Sequence, residues 1–506
     1  MSFPVFDILA SRADLVPEVV AFEDLVSGER VSYRELNQRT GRTTALLTSC
    51  GVKKDDCVAL LCRNRIEFFE LLFACARLGA ILVPLNWRMP GQELLPLLDD
   101  CGAEWLFHGA EDADTASTLA GNNQALIDLD DGSDRGFRTR RDALQPQKGR
   151  DKWPAHETWY LLYTSGTTGK PKAVIQTYGM AMANYINIAQ GMGLRPDDTS
   201  LNYLPLFHTG GINLTTLPAL IMGAQTLIMP GFDLERTVSL LETGRLDTFF
   251  GVPAIYQAIS LHPRFNELDL THVRCWGCGG APMPDKLIQK FAARGAKVLN
   301  GMGMTETGPT VFLMDEANTM SKIGSVGKPQ LLASVRLVDA NGKDVVQGET
   351  GELWFSGLGI TPGYYNRPQA TADTYSEDGW LRSGDLGRQD EDGYYYIVGR
   401  LKDMYISGGE NVYAAEVEAQ LSEHPDVLEA AVIGVPDDKW GEVGCAYLLL
   451  QPGHPSPSDE QLVSFCKARM ASYKAPRYFL RVDDFARTAA GKVQKHLLPP
   501  VTAGGK

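Results

Sequence analysis

The spacing of apolar residues changes period many times along this chain, and the changes fall at glycine, proline and capping residues. Cys57 to Leu61 is an unbroken apolar run of strand length, and Ile66 to Leu78 repeats its apolar residues at helical spacing. The most hydrophobic stretch, Phe68 to Leu85, is interrupted by Glu70 and Arg77, so it predicts a core helix leading into a strand and not a membrane span. Ser32-Tyr33-Arg34-Glu35 has the form of a capping box that opens a helix. Trp159 to Tyr163 reads as a buried strand. Asp247 to Val252 is another, with Pro253 opening a helix. Val273 to Cys278 predicts a strand, and Val298 with Leu299 starts the next. Between them Leu287, Ile288, Phe291 and Ala292 give a helix over Asp285 to Ala293. Strands alternating with helices imply an α/β protein with a mostly parallel sheet and ligands at the strand ends.

The texture changes near Ser325. Gly342, Gly348, Gly351, Gly357 and Gly363 separate short β-rich runs such as Glu352-Leu353-Trp354-Phe355, which predicts a β-subdomain. Beyond Lys402-Asp403 lies a tail of about one hundred residues, a size that suits a small separate domain. It carries its own helix (Ala414 to Ser422), its own strand (Ala430 to Val435) and a polar break from Pro452 to Asp459. The expected division is a large domain over 1–400, a junction at 401–403 and a small α+β domain over 404–506. Residues 111–156 are polar and irregular and are expected to be surface excursions.

Composition narrows the function. With 506 residues the chain holds more than one domain, and a net charge of −14 argues against a general nucleic-acid binder. Any polyanion must therefore be met by local lysines and arginines. No basic start followed by an apolar signal region opens the chain, and nine cysteines are scattered without framework spacing, so a reducing, cytoplasmic setting is expected. Cys275-Trp276-Gly277-Cys278 has no second CxxC and no paired histidines. It reads as two small core residues near a turn. The eight histidines show no HExxH spacing, and neither GxSxG nor GxGxxG occurs.

One loop concentrates chemistry. Thr164-Ser165-Gly166-Thr167-Thr168-Gly169-Lys170-Pro171-Lys172 follows the Trp159 strand and combines hydroxyls, glycines and lysines. Glycine lets the backbone approach a phosphate, hydroxyls and amides donate to it, and lysine supplies charge. Two residues separate Gly166 from Gly169, so the spacing is not that of a Walker ATPase.

Four further motifs follow in order: Gly303-Met304-Thr305-Glu306, Ser383-Gly384-Asp385, Gly399-Arg400-Leu401-Lys402-Asp403 and Gly491-Lys492. With the 165–172 loop they span nearly the whole chain, which resembles the adenylate-forming superfamily and, within it, the AMP-forming acyl-CoA and aryl-CoA synthetases. That resemblance implies a large α/β domain with a β-barrel-like subdomain and a small mobile domain that rotates about Lys402. It implies ATP and Mg²⁺ as cofactors, coenzyme A as co-substrate and a small carboxylic acid as substrate, with a homodimer as a family-level possibility. Thr164, Ser165, Gly166, Thr167, Thr168, Gly169, Lys170 and Lys172 would hold the β- and γ-phosphates. Thr305 would bond the α-phosphate and Glu306 would hold the Mg²⁺. Asp385 would accept the ribose hydroxyls, with Arg400 assisting. Adenine would lie between Gly280-Ala281-Pro282 and Asn300-Gly301-Met302, although relatives often carry an aromatic ring where Met302 stands. Lys492 would bridge the acid and the α-phosphate, and Gly408 and Gly409 would line the pantetheine channel.

By the same resemblance His208 would match a position near the acyl carboxylate of acyl- and aryl-CoA synthetases, and no well-placed aspartate appears near it to pair with a substrate amine. Gly210, Gly211, Gly277, Gly279 and Gly301 leave room for bulk, with Thr310 and Met302 as possible borders. Trp276 and Phe207 fit either a pocket wall or the core. The expected activity is an acid–CoA ligase acting on a fatty or aromatic acid. Loading of a carrier protein, luciferase-type oxidation and a non-catalytic nucleotide-binding relative are the alternatives.

Overall fold

The computed structural model describes residues 4–120, 125–164, 171–437, 439–488 and 492–499. Its first sheet has the order Lys172–Thr177, Thr158–Thr164, Ile81–Pro84, Cys57–Leu61, Trp105–His108, Ala125–Asp128, parallel except for the first strand. The Ile66–Leu78 helix packs on it, and all but one of its residues are buried. That helix keeps three charged residues inside, Glu67, Glu70 and Arg77. Arg77 Nε donates to Asp7 Oδ2 at 2.7 Å. Glu70, fully buried, accepts from Arg141 Nη1 at 2.8 Å and from Thr43 Oγ1 at 3.2 Å. Burial pushes Glu70 up to about 7 against the pull of Arg141.

Arg141 lies in the 111–156 segment, which the sequence pattern had assigned to the surface. The segment is instead partly core: Leu129, Phe137 and Trp153 are fully buried, and Phe137 meets Phe107 edge-on at 5.9 Å. Its apolar residues are too sparse to make a period, and Asp112 and Arg141 pair inward where polar character suggested solvent. The Ser32 cap forms as expected, its hydroxyl accepting from Glu35 N at 3.2 Å at the head of the Tyr33–Ser49 helix.

A second set of parallel strands, Thr248–Gly251, Cys275–Cys278 and Val298–Met302, continues antiparallel into Phe312–Leu313. Cys275 and Cys278 are free, buried strand residues, and no group of three or more His, Cys, Asp or Glu side chains poised for a metal occurs among the described residues. Trp276 is core, with its ring 5.3 Å from Phe249 and 5.9 Å from Phe291.

The β-subdomain is an antiparallel meander of Ala333–Val338, Gly351–Gly357, Leu381–Gln389 and Tyr395–Arg400. A 3-10 turn at Leu401–Asp403 leads into the last sheet, Glu410–Tyr413, Met404–Ser407, Gly441–Leu450 and Val427–Asp437, with Tyr478–Val482 added parallel to Gly441–Leu450. Its core is a separate cluster built on Val412, Val417, Leu421, Val432, Leu448 and Leu462. No helix of the described residues is long and apolar enough to cross a membrane.

Removing one partner of a buried ion pair strands the other charge, at about 3–5 kcal/mol. Arg141→Met is therefore expected to destabilise the large domain by that amount in urea unfolding, and Arg141→Met with Glu70→Leu to recover most of it. A single-variant loss below about 1 kcal/mol would contradict the role given to this pair.

Candidate active site

Parallel strands deliver their carboxyl ends to one edge. Gly251, Cys278 and Asn300 are register neighbours across three strands, so the turns that follow them open side by side. Gly280, at φ +85°, turns the chain out of the Cys275–Cys278 strand into Ala281 and Pro282. Asn300 is buried. Its Nδ2 donates to Ser325 O at 3.1 Å, while Oδ1 is buried with no hydrogen-bond partner among the described residues. Gly301 is also close-packed, since a Cβ there would lie 2.9 Å from Phe312 O. Met302 pairs with Phe312 and leans on the β-subdomain core.

The strand then breaks into the 3-10 turn Thr305–Thr307. Gln176 Nε2 holds Thr305 O at 2.9 Å, and Thr361 N holds Glu306 O at 2.8 Å. Glu306 is buried and accepts from Tyr364 Oη on Oε1 at 2.9 Å. Burial raises its pKa, offset by that bond, Arg400 and Lys172. Lys172 lies over the Tyr364 ring at 4.9 Å. It also pairs with Thr164, whose Oγ1 donates to Lys172 O at 3.4 Å, so the two residues close the base of the hydroxyl-rich loop. Ser165, Gly166, Thr167, Thr168, Gly169 and Lys170 lie outside the described residues.

Asp385 and Arg400 face each other across adjacent strands, with Arg400 Nε 2.9 Å from Asp385 Oδ1. Asp385 is buried, and desolvation raises its pKa while Arg400 and Lys492 pull it down. Ser383, Gly384, Arg400, Leu401 and Lys402 line an open cleft beside it.

Lys492 comes from the other end of the chain. Thr488 N donates to Lys492 O at 2.7 Å and Lys492 N donates to Thr488 Oγ1 at 3.1 Å, which fixes its backbone. Desolvation and Arg400 lower its pKa, Asp385 and Glu306 raise it, and Lys402 lowers it again. These influences place the ammonium within electrostatic reach of Thr305-Glu306, Asp385-Arg400 and the junction.

His208 joins the same cleft. Burial, Arg88 and Lys492 push it down to about 4, and its Nε2 is buried without a partner among the described residues. Phe207 packs between His208 at 4.7 Å and Trp87 at 6.0 Å. Thr310 Oγ1 bonds Asn184 Oδ1 at 3.3 Å. Gly408 and Gly409 form the two-residue turn of the Met404–Ser407 hairpin, both at positive φ. A Cβ on Gly408 would strike the Trp440 ring at 2.7 Å.

A family model described as AMP-binding enzyme matches residues 9–365, and its C-terminal domain model matches 416–492. The chain belongs to the AMP-binding enzyme family. It is an AMP-forming acid–CoA ligase that uses ATP and coenzyme A. It is 39% identical over 484 residues to a feruloyl-CoA synthase of an Amycolatopsis species, covering 96% of each chain. It is 38% identical to an indoleacetate–CoA ligase of Aromatoleum aromaticum, covering 92% of each. Among solved structures it is similar to the o-succinylbenzoate CoA synthetase of Bacillus subtilis in complex with its acyl-adenylate, with TM-score 0.88, 31% identity and 99% of each chain covered.

Two residues of this ligase's cleft escaped the motif reading. Tyr364 enters through a bridge to Val174 that no local pattern marks. Gln176 sits on a strand face that alternation alone cannot distinguish from core. The aromatic run from Tyr364 to Tyr365 was the available signal for the first.

A histidine whose pKa is depressed from 6.5 to about 4 stays neutral while the unfolded chain would be protonated, so its contribution to stability is lost as pH falls from about 6.5 toward 4. Ring-labelled NMR, assigned with His208→Asn, is expected to show His208 neutral throughout pH 6–8. A titration near 6.5 would contradict this burial.

Proposed function

We propose that the cleft around Lys492 forms an aryl-adenylate and then passes the aryl group to CoA. The observation that carries the reading is the desolvated Lys492, which reaches across from the small domain to two buried carboxylates and Arg400. In this reading Thr164, Lys172 and the residues between them hold the β- and γ-phosphates. Asp385 takes the ribose hydroxyls with Arg400 beside it. Asn300 Oδ1, a buried acceptor without a partner among the described residues, suits the amino group of adenine. Thr305 donates to the α-phosphate. Met302 covers the purine with sulfur and methylene in place of a ring.

A carboxylate oxygen of the acid attacks the α-phosphorus, the bond to pyrophosphate breaks, and pyrophosphate leaves with the electron pair. Lys492 and Thr305 offset the approach of two anions. His208, neutral, donates a hydrogen bond to the acid while adding no charge to the anion it holds. Attack of the CoA thiol on the acyl carbon then loses the thiol proton and expels AMP. The small domain (404–506) turns about Lys402 between the steps, withdrawing Lys492 and bringing Gly408 and Gly409 to the pantetheine arm.

Glu306 fits a hard cation, being a buried carboxylate whose pKa is raised until a positive partner arrives. With few other acids nearby, phosphate and water oxygens would complete the shell. Mg²⁺ bound there supplies neutralisation of phosphate charge.

The acid we favour is flat and aromatic. Gly277 and Gly279 lie against the Phe250 ring, whose atoms would stand 2.5 and 3.2 Å from a Cβ at each, so only bare backbone fits beside it. That packing puts an aromatic wall behind the strand, and the two relatives named above are a feruloyl-CoA synthase and an indoleacetate–CoA ligase by name, which supports an aromatic acid. A reducing, cytoplasmic setting and a homodimer belong to the same reading. The nine cysteines, none of them in a disulfide, support the first, and sedimentation would test the second.

Pyrophosphate release with ATP, Mg²⁺, CoA and a panel of ferulate, 4-coumarate, indole-3-acetate, benzoate and dodecanoate tests the substrate. The phenylpropenoates are expected to exceed dodecanoate at least tenfold in kcat/KM, and the reverse order would overturn the aromatic reading. Lys492→Ala is expected to cut adenylate formation about 10²–10³-fold, the scale of losing one transition-state donor. It should spare thioester formation from synthetic acyl-adenylate, and equal loss of both steps would overturn the role of Lys492.

A further inference from the structure

The Asp285–Ala292 helix begins three residues after the Gly280-Ala281-Pro282 turn, and its second residue reaches out of the large domain. Lys286 Nζ donates to Glu423 O at 2.6 Å and lies 3.5 Å from Ser422 O and 3.9 Å from Glu423 Oε2. Those carbonyls end the Ala414–Ser422 helix of the small domain. The last carbonyls of a helix lack intrahelical donors and carry the negative end of its dipole, so an ammonium is the natural cap.

The same helix holds the catalytic segment from its middle. Glu418 Oε1 takes Lys495 Nζ at 2.6 Å and Val432 N at 2.6 Å. Both side chains of the pair are about four-fifths shielded, at 19% and 23% exposure, and burial raises the pKa of Glu418 against the pull of Lys495. Lys495 stands three residues beyond Lys492. At its other end the helix rests on the large domain, where Gly399 lies beside Tyr413 and Ala415. A continuous path therefore runs from the helix after the adenine turn, through Lys286, the Ala414–Ser422 helix, Glu418 and Lys495, to Lys492.

We infer that Lys286 is a positioning residue, a latch that holds the small domain in the orientation that presents Lys492 for adenylate formation. The inference rests on the role proposed above for Lys492. Lys286 touches no reacting atom. It biases the equilibrium between two domain orientations, and a half-exposed contact of this kind contributes little to the stability of either domain. Its loss favours the orientation from which CoA reacts.

The test uses the full-length enzyme with the best acid of the panel. Single-turnover pyrophosphate release reports the first half-reaction, and thioester formation from the synthetic acyl-adenylate and CoA reports the second. Lys286→Ala is expected to slow the first about five- to tenfold, leave the second within twofold and leave the thermal midpoint unchanged. Lys286→Arg, which keeps a cation at the helix end, should restore most of the first. Lys297→Ala, which breaks an ion pair with Glu316 inside the large domain, should change neither. Equal slowing of both half-reactions by Lys286→Ala, or no slowing of either, would overturn the latch. Lys492→Ala separates the two levels. If it abolishes adenylation while Lys286→Ala does nothing, only the latch fails. If Lys492→Ala adenylates normally, the underlying reading fails with it.

Discussion

Two carboxylates and an ammonium share a poorly solvated cleft, and they come from different domains. Glu306 and Asp385 are buried in the large domain with raised pKa values, and Lys492 meets them from the small domain with a lowered one. Burial disfavours each charge; the Tyr364 hydrogen bond, Arg400 and Lys172 offset it at Glu306, Arg400 and Lys492 offset it at Asp385, and the two carboxylates offset it at Lys492. In the proposed reading, a triphosphate with its cation supplies the partners these groups lack. Asn300 Oδ1 and His208 Nε2, each without a hydrogen-bond partner among the described residues, belong to the same incompleteness.

The fold makes that cleft from ordinary parts. Register among three parallel strands sets Gly251, Cys278 and Asn300 side by side, so the turns beyond them converge. Cross-strand pairing in the β-subdomain puts Asp385 opposite Arg400, and the Leu401–Asp403 turn that follows begins the small domain. Lys492 is therefore carried by a domain joined to the large one through a short segment. Its placement depends on contacts such as Lys286 with the end of the Ala414–Ser422 helix.

Much of this was legible in the sequence where period and motif coincide. Cys57–Leu61, Ile66–Leu78 and Ala414–Ser422 have the limits that the apolar spacing gives, and Gly79 in the left-handed region stops the second of them. Asp385, Arg400, Glu306 and Lys492 were visible as motifs, and the structure brings them together. Tyr364 and Gln176 were not, because each reaches the cleft by a long-range contact: Tyr364 to Glu306, and Gln176 to the Thr305 carbonyl. The burial of Phe137 and Trp153 was hidden for a related reason. A few large apolar residues in a charged stretch fill a gap that other segments create. Met302 pairs with Phe312 on the neighbouring strand, and its side chain packs on the β-subdomain core.

Competitive acetylation across pH, read peptide by peptide with and without ATP, measures the state of Lys492 directly. The account predicts that Lys492 titrates below the exposed lysines of the same molecule and is shielded when ATP binds. Titration together with the exposed lysines, unchanged by ATP, would contradict it.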